Sequence, residues 1–220
     1  MGMIANNDSQ KTTPLTKRLA TAIRREQIAE TSLKLISLHG LEALNIVAIA
    51  EDIGLAPSAI YRHFSGKEEI LESVSGLLQD RLLGNVRRVC AETDDPLKRL
   101  HLLLQSHLNL VLKGSGIPRY VFATGSEGVQ STRKLRLFKA VELYLKKVAT
   151  LFYDGQQVGK IRPELDPDVL SYMYLGLIQP GILLQQMSDG EFDIESHVEA
   201  AWEIFSKTIS VTSQSGQPRP

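Results

Sequence analysis

The stretch from Asn45 to Phe64 leaves the backbone few choices. Asn45 has the side chain of a helix N-cap, and Ile49, Ala50 and Ile53 behind it fall on one helical face. Gly54 supplies the positive φ of a tight turn, Pro57 suits the first turn of a new helix, and Ile60 and Phe64 at i, i+4 face inward. In front of this pair, from about Thr21 to His39, Ile28, Ser32, Leu35 and Ile36 form the stripe of an amphipathic helix that Gly40 caps. Two short helices, a glycine turn and a bracing helix make a helix-turn-helix, whose second short helix fits a DNA major groove.

With Ile60 and Phe64 turned inward, Ser58, Ala59, Arg62 and His63 point outward or along the groove. Arg62 can donate two hydrogen bonds to a guanine edge and Ala59 can pack on a thymine methyl, while Ser58, Tyr61 and Lys67 suit phosphates. Asn45, at a helix start, is also placed for a phosphate. Each has an ordinary structural reading beside this one: Tyr61 as packing, His63 as a helix-end residue, Asn45 as a cap only.

The rest of the chain reads as helices. Ser65-Gly66-Lys67-Glu68 has the form of a capping box, with Gly66 and Glu69 as the same device one residue later, and a long helix follows to about Ala91. Further helices are expected at about Leu97–Lys113, Arg119–Ala123, Ser131–Val158, Asp168–Met187 and Ile194–Ile209, the fourth bent or broken near Pro180-Gly181. The basic residues Arg133, Lys134, Arg136, Lys139, Lys146 and Lys147 read as a solvated face. No strand-like alternation or repeat is present, so the fold is expected to be all-α. The organisation is a flexible basic N-terminal arm (1–20), a helix-turn-helix domain (21–67), a helical effector-binding and dimerisation domain (68–210) and a disordered tail (211–220).

Composition constrains the function classes. The 220 residues are 43% hydrophobic and 23% charged, as in a soluble globular protein. Net charge is zero, but Lys11, Lys17, Arg18, Arg24 and Arg25 all precede Glu26, which gives a local basic entry with phosphate binding and a solvated arm as its two readings. The start of the chain lacks the pattern of a secretion signal, and the most apolar segment, Leu175–Leu184, is interrupted by Gln179 and Pro180, so a cytoplasmic protein off the membrane is expected. One cysteine, Cys90, excludes an internal disulfide and a multi-cysteine zinc site. None of His39, His63, His101, His107 and His197 forms a pair at i, i+4 spacing, so no metal and no cofactor is expected. Gly125-Ser126-Glu127-Gly128 has the wrong spacing for a nucleophile elbow, Gly66-Lys67 belongs to no P-loop, and no H-E-x-x-H occurs, which disfavours an enzyme.

From Arg24 to Leu71 the residues Gly40, Asn45, Ile49-Ala50, Gly54, Ala59-Ile60-Tyr61-Arg62-His63-Phe64 and Lys67-Glu68 stand in the register of a known family, and the sequence resembles the TetR family of bacterial transcriptional regulators. The resemblance implies a homodimer of about nine helices, three for DNA and the rest for a ligand pocket and a four-helix dimer interface. Asn45 stands where that family usually has Thr, which preserves the cap. Ala56 replaces a common Ser, so one capping contact is missing, and Ser58 replaces Gly or Pro.

Beyond the helix-turn-helix the site is read from pattern. Leu103, His107, Leu110, Val111, Tyr120, Phe122, Tyr144, Val148, Tyr174, Leu177, Ile178 and Gln179 can line an apolar cavity with a few polar handles, a plain bundle core being the competing reading for each. Leu175, Leu183, Leu184, Val198, Trp202 and Phe205 are the candidates for the dimer face. The expected partners are double-stranded DNA, a second copy of the chain and a small-molecule effector. The leading reading is a repressor released from a palindromic operator by a small, largely apolar ligand. Its rival is a nucleoid-associated or protein-partner-regulated factor without an effector.

Overall fold

The computed structural model describes residues 14–113, 116–126, 128 and 131–211. Among them lie ten helical segments and no strand: α1 (Pro14–His39), α2 (Ile46–Asp52), α3 (Pro57–Ile60), α4 (Lys67–Glu92), α5 (Pro96–Lys113), α6 (Ile117–Gly125), α7 (Thr132–Gln157), α8 (Pro167–Gly176), α9 (Gln179–Met187) and α10 (Ile194–Ile209). Counted with α8 and α9 as one interrupted helix, the architecture is the expected all-α one of about nine helices.

Local chemistry sets the boundaries. Gly40 and Gly54 adopt φ of +81° and +68°, the left-handed turns that end α1 and separate α2 from α3. The Asn45 side chain accepts from the Ala48 N–H at 2.9 Å, and the Ser131, Asp166 and Asp193 side chains cap α7, α8 and α10 in the same way. Ala56 offers no such bond, and Pro57 opens α3 instead.

The first helix begins earlier than its sequence suggests. Residues 14–20 belong to α1, whereas the arm was expected to extend to residue 20; Pro14 punctuates the chain as the first helical residue, where its missing N–H costs nothing. Residues 1–13 of that arm, and 212–220 of the expected tail, lie outside the described residues. Val211, placed in the tail by sequence, is held: its N–H donates to the Lys160 carbonyl at 3.1 Å, beside an antiparallel bridge between Ile161 and Ser210. The apolar helix also breaks earlier than expected, at Leu177–Ile178. Pro180 lacks an N–H and its ring crowds the carbonyl of Gly176, so the interruption falls in the turn before the proline.

The helix-turn-helix packs through Ile28, Ile36, Ile49, Ile60 and Phe64, all at most 1% exposed, and continues into α4 at Ile70, Leu71 and Val74, which are fully buried. In the body α4 packs against α5 and α7, α7 against α8, and α10 against α5 and α9. Its core is an aromatic cluster. Phe152 stands edge-on to Tyr174 and Phe205 with centroids 5.9 and 6.0 Å apart, and Trp202 lies 6.4 Å from Tyr174. Val198, Trp202 and Phe205, expected on the dimer face, therefore face the chain's own interior at 2%, 6% and 6% exposure. Phe152 and Tyr174 are the rings that cover Phe205 and Trp202 on that side.

Candidate functional site

α3 is a single turn that passes into a three-residue turn at Tyr61–His63, closed by bonds from the His63 and Phe64 N–H groups to the Ile60 carbonyl at 2.9 and 3.0 Å. Anchored by Ile60 and Phe64, this segment leaves Ser58 and Arg62 exposed, Tyr61 58% exposed and Ala59 half-buried. These four are at least partly open to solvent. His63 does not share it: the residue is half-buried and its carbonyl accepts from the Arg25 guanidinium, so its backbone belongs to the brace. Asn45 is exposed at the start of α2 while its side chain caps. Lys67 is half-buried, and its ammonium donates to the Leu41 carbonyl at 3.2 Å, fastening the first turn of α4 to the α1–α2 connection.

The same corner is pinned by a charged group. Glu69 reaches back to the Ser65 N–H and hydroxyl at 2.8 and 2.9 Å and takes an ion pair from Arg25 at 2.9 Å. The box at the head of α4 thus closes between Ser65 and Glu69, not through Glu68. The Ser65 N–H, followed by Arg25, holds the Glu69 carboxyl down at about 2. Arg25 also lies 4.0 Å over the Phe64 ring.

In the body a small apolar cavity of about 70 Å³ lies between α4, α5, α6, α7 and the α8–α9 region. Of the residues expected to line it, His107, Leu110, Val111, Phe122, Tyr144 and Gln179 do. Leu103, Tyr120, Val148, Tyr174 and Ile178 are fully buried in the surrounding core and do not reach it, nor does Leu177. The Tyr120 hydroxyl is spent on the Leu71 carbonyl at 2.7 Å and Ser75 at 2.6 Å, and the Tyr174 hydroxyl on the Leu100 carbonyl at 2.8 Å.

Sequence reasoning missed Leu78 and Leu82 of α4, Ile117, Pro118 and Val121 of α6, Val141 of α7 and Ile182 of α9. The i, i+4 spacing of Leu78 and Leu82 was a usable signal. Leu175, a dimer-face candidate, turns out to line the cavity as well.

Two of the polar handles, His107 and Tyr144, satisfy each other. His107 Nδ1 lies 3.2 Å from the Tyr144 hydroxyl, the rings meeting edge to face, and burial lowers the imidazole to about 4 and pushes the phenol up. The cavity therefore presents a neutral imidazole and a neutral phenol.

Two features join this body to the DNA-facing unit. α4 runs unbroken from Lys67 to the cavity wall at Leu78 and Leu82. At the start of α6, Gly116 lies so close to α1 that a Cβ there would sit 1.9 Å from the Leu33 carbonyl oxygen, and Arg119 donates to the Ser37 carbonyl at 2.6 Å. Arg133 and Arg136, expected on a solvated face of α7, turn toward α4 and pair with Glu68 and Glu72 at 3.3 and 3.0 Å. On the outer side of α8, α9 and α10, Tyr172, Leu183, Leu184 and Ile204 are 64%, 50%, 42% and 70% exposed. Among the described residues no group of acidic, His and Cys side chains suits a metal ion, and no helix is long and apolar enough to cross a membrane.

Known proteins place this arrangement. The family model for bacterial regulatory proteins of the tetR family matches residues 28–74, and that for the C-terminal region of YsiA-like proteins matches residues 78–208. The nucleoid occlusion factor SlmA of Vibrio atlanticus is 26% identical over 192 residues, covering 84% of this chain and 95% of that protein. Among solved structures, the fatty acid degradation regulator FadR from Bacillus halodurans superposes with a TM-score of 0.70 at 22% identity, over 83% of this chain and 94% of its own. The ketosteroid transcriptional regulator KstR2 of Mycobacterium tuberculosis does so with 0.63 at 20%, over 86% and 96%. With a DNA-facing unit and a helical body each matched in turn, the chain belongs to the tetR family of bacterial regulatory proteins, and its C-terminal region is of the YsiA-like kind.

Proposed function

We propose that this regulator is a cytoplasmic homodimeric repressor that holds a palindromic operator and is released by a small, largely apolar ligand. The observation that carries the reading is the shared use of α4, which starts beside the recognition segment and in its middle, at Leu78 and Leu82, forms a wall of the apolar cavity. At about 70 Å³ the cavity is far below the roughly 300–1,000 Å³ of sites that hold a metabolite. A ligand must therefore part the helices around it, and the energy of that parting is available to shift α4 and α6. A ligand that binds the released state a hundredfold better supplies about 2.7 kcal/mol of coupling. The exposed apolar side chains of α8, α9 and α10, Leu183, Leu184 and Ile204 among them, supply the face for a second copy. The chain acts by binding and not by catalysis.

The test is selection of duplexes from a random pool by the purified protein, followed by affinity measurements with and without fatty acids of graded length and a ketosteroid. These probes match the cavity's chemistry and the names of the two structural relatives. Release by one of them, and relaxed base choice of about 1–3 kcal/mol in Arg62→Ala, are expected. An Arg62→Ala variant weakened equally on selected and random DNA would overturn the base-reading role.

One observation favours a second reading. A polar groove of about 1050 Å³ opens between α1, α4 and α5, bordered by Glu30, Arg81, Arg88 and Ser106. With the nucleoid occlusion factors among the relatives, a DNA-bound factor governed by a protein partner is the alternative. Selected-site affinity indifferent to every apolar probe is the result that would favour it.

A further inference from the structure

The face of α1 that packs against the core changes character at Arg25. From Ile28 through Ser32, Leu35 and Ile36 it is buried. Stepping back by seven residues, which returns to nearly the same side of a helix, Ser32 is preceded by Arg25 and Arg25 by Arg18, with Arg24 on the flank. Arg25 fixes the direction of this face, because its guanidinium reaches the His63 carbonyl and lies over the Phe64 ring, at the end of the recognition segment. Arg18 is two turns further along, about 10 Å past that contact, and is exposed. Arg24 is half-buried, and neither it nor Arg18 is paired with a carboxylate among the described residues.

We propose that the overhanging first turns of α1 form a second, sequence-independent DNA contact, in which Arg18 and Arg24 hold the phosphate backbone beside the groove that the recognition segment enters. The proposal rests on the DNA-binding reading above and extends its footprint outward. Two features select duplex phosphate as the occupant. The first is charge: from Ser9 to Arg25 the sequence holds five basic residues and no acid, on a chain whose net charge is zero. The second is continuity, since the cationic face is the prolongation of the side of α1 that touches His63 and Phe64. The opposite side carries the exposed Leu19 and Ile23, so the cations are gathered on one side of the overhang.

The experiment measures binding of a fluorescein-labelled mixed-sequence duplex by the full chain across a salt series, for the wild type, Arg18→Ala/Arg24→Ala and Arg18→Lys/Arg24→Lys. With two arms per dimer the alanine variant loses four phosphate contacts, and at ~0.9 per contact the slope of log affinity on log salt falls by about 3–4. The lysine variant restores most of it. An alanine variant with the wild-type slope overturns the proposal while leaving the DNA-binding reading intact, whereas a wild type without salt-dependent duplex affinity defeats both. If sedimentation shows that the alanine variant has lost self-association instead, the overhang serves a second copy of the chain and the phosphate assignment is wrong.

Discussion

Arg25 and Glu69 meet at 2.9 Å between α1 and α4, and through this pair the brace, the recognition segment and the first turn of α4 are fixed to one another. The carboxylate is held at about 2 in the fold, chiefly by the Ser65 N–H and then by Arg25, against an ordinary value of 4.5. A lowered carboxyl pKa stabilises the fold fully above about 4.5, and that contribution is lost as pH falls through about 2. Glu69→Gln should therefore unfold at lower urea than the wild type at neutral pH. The gap between the two midpoints should close between pH 4.5 and 2, and a gap independent of pH would show that the charge is not what matters.

His107 titrates in a different window. Burial lowers it from 6.5 to about 4, so between those values the unfolded chain takes up a proton that the fold refuses. Stability conferred by the neutral imidazole is complete above pH 6.5 and drains away as pH falls to 4, by on the order of 3 kcal/mol. His107→Phe removes this titration at the expense of the Tyr144 partner. Urea midpoints should fall less steeply for the variant than for the wild type between pH 6.5 and 4, and parallel curves would refute the assignment.

Gly116 has no room for a side chain. A Cβ there would meet the Leu33 carbonyl oxygen at 1.9 Å, and backbone cannot step aside as a side chain can. Gly116→Ala should cost about 1–3 kcal/mol by overpacking and loosen α6 from α1. Thermal denaturation reads the loss, and Gly84→Ala, whose Cβ would meet only the end of Arg87 at 3.7 Å inside α4, is the control expected to gain about 0.5–1 kcal/mol from helix propensity.

Ile204 is 70% exposed on α10, where Trp202 and Phe205 face inward. Ile204→Glu should leave the monomer's thermal transition largely intact and shift sedimentation toward the monomer. An unchanged dimer would move the interface to another face.

Local rules made the DNA-facing unit legible. Asn45, Gly40 and Gly54 each act within one turn of the chain and the Ile28–Ile36 stripe within one helix, and each does what its residue type requires. The body was less readable because α10 is apolar on two sides. Val198, Trp202 and Phe205 serve the chain's own core while Ile204 looks outward, and periodicity marks an apolar face without saying what covers it. The cavity lining was half visible for a related reason: Tyr120 and Tyr174 look like cavity residues in sequence, yet their hydroxyls are committed to the carbonyls of Leu71 and Leu100, partners 49 and 74 positions away. Pro14 shows the opposite ambiguity, since the same residue opens a helix or interrupts one.

The continuity of α4 also means that the DNA-reading portion cannot be excised cleanly. A fragment stopping at Lys67 would discard Ile70, Leu71 and Val74, whose fully enclosed side chains complete the packing beneath Phe64 and Ile60, while one extended to Leu82 would carry a bare apolar rod into solvent. Any engineered chimera of this regulator should accordingly exchange its two portions within the helix, keeping the turns that serve each side, and not at the loop before it.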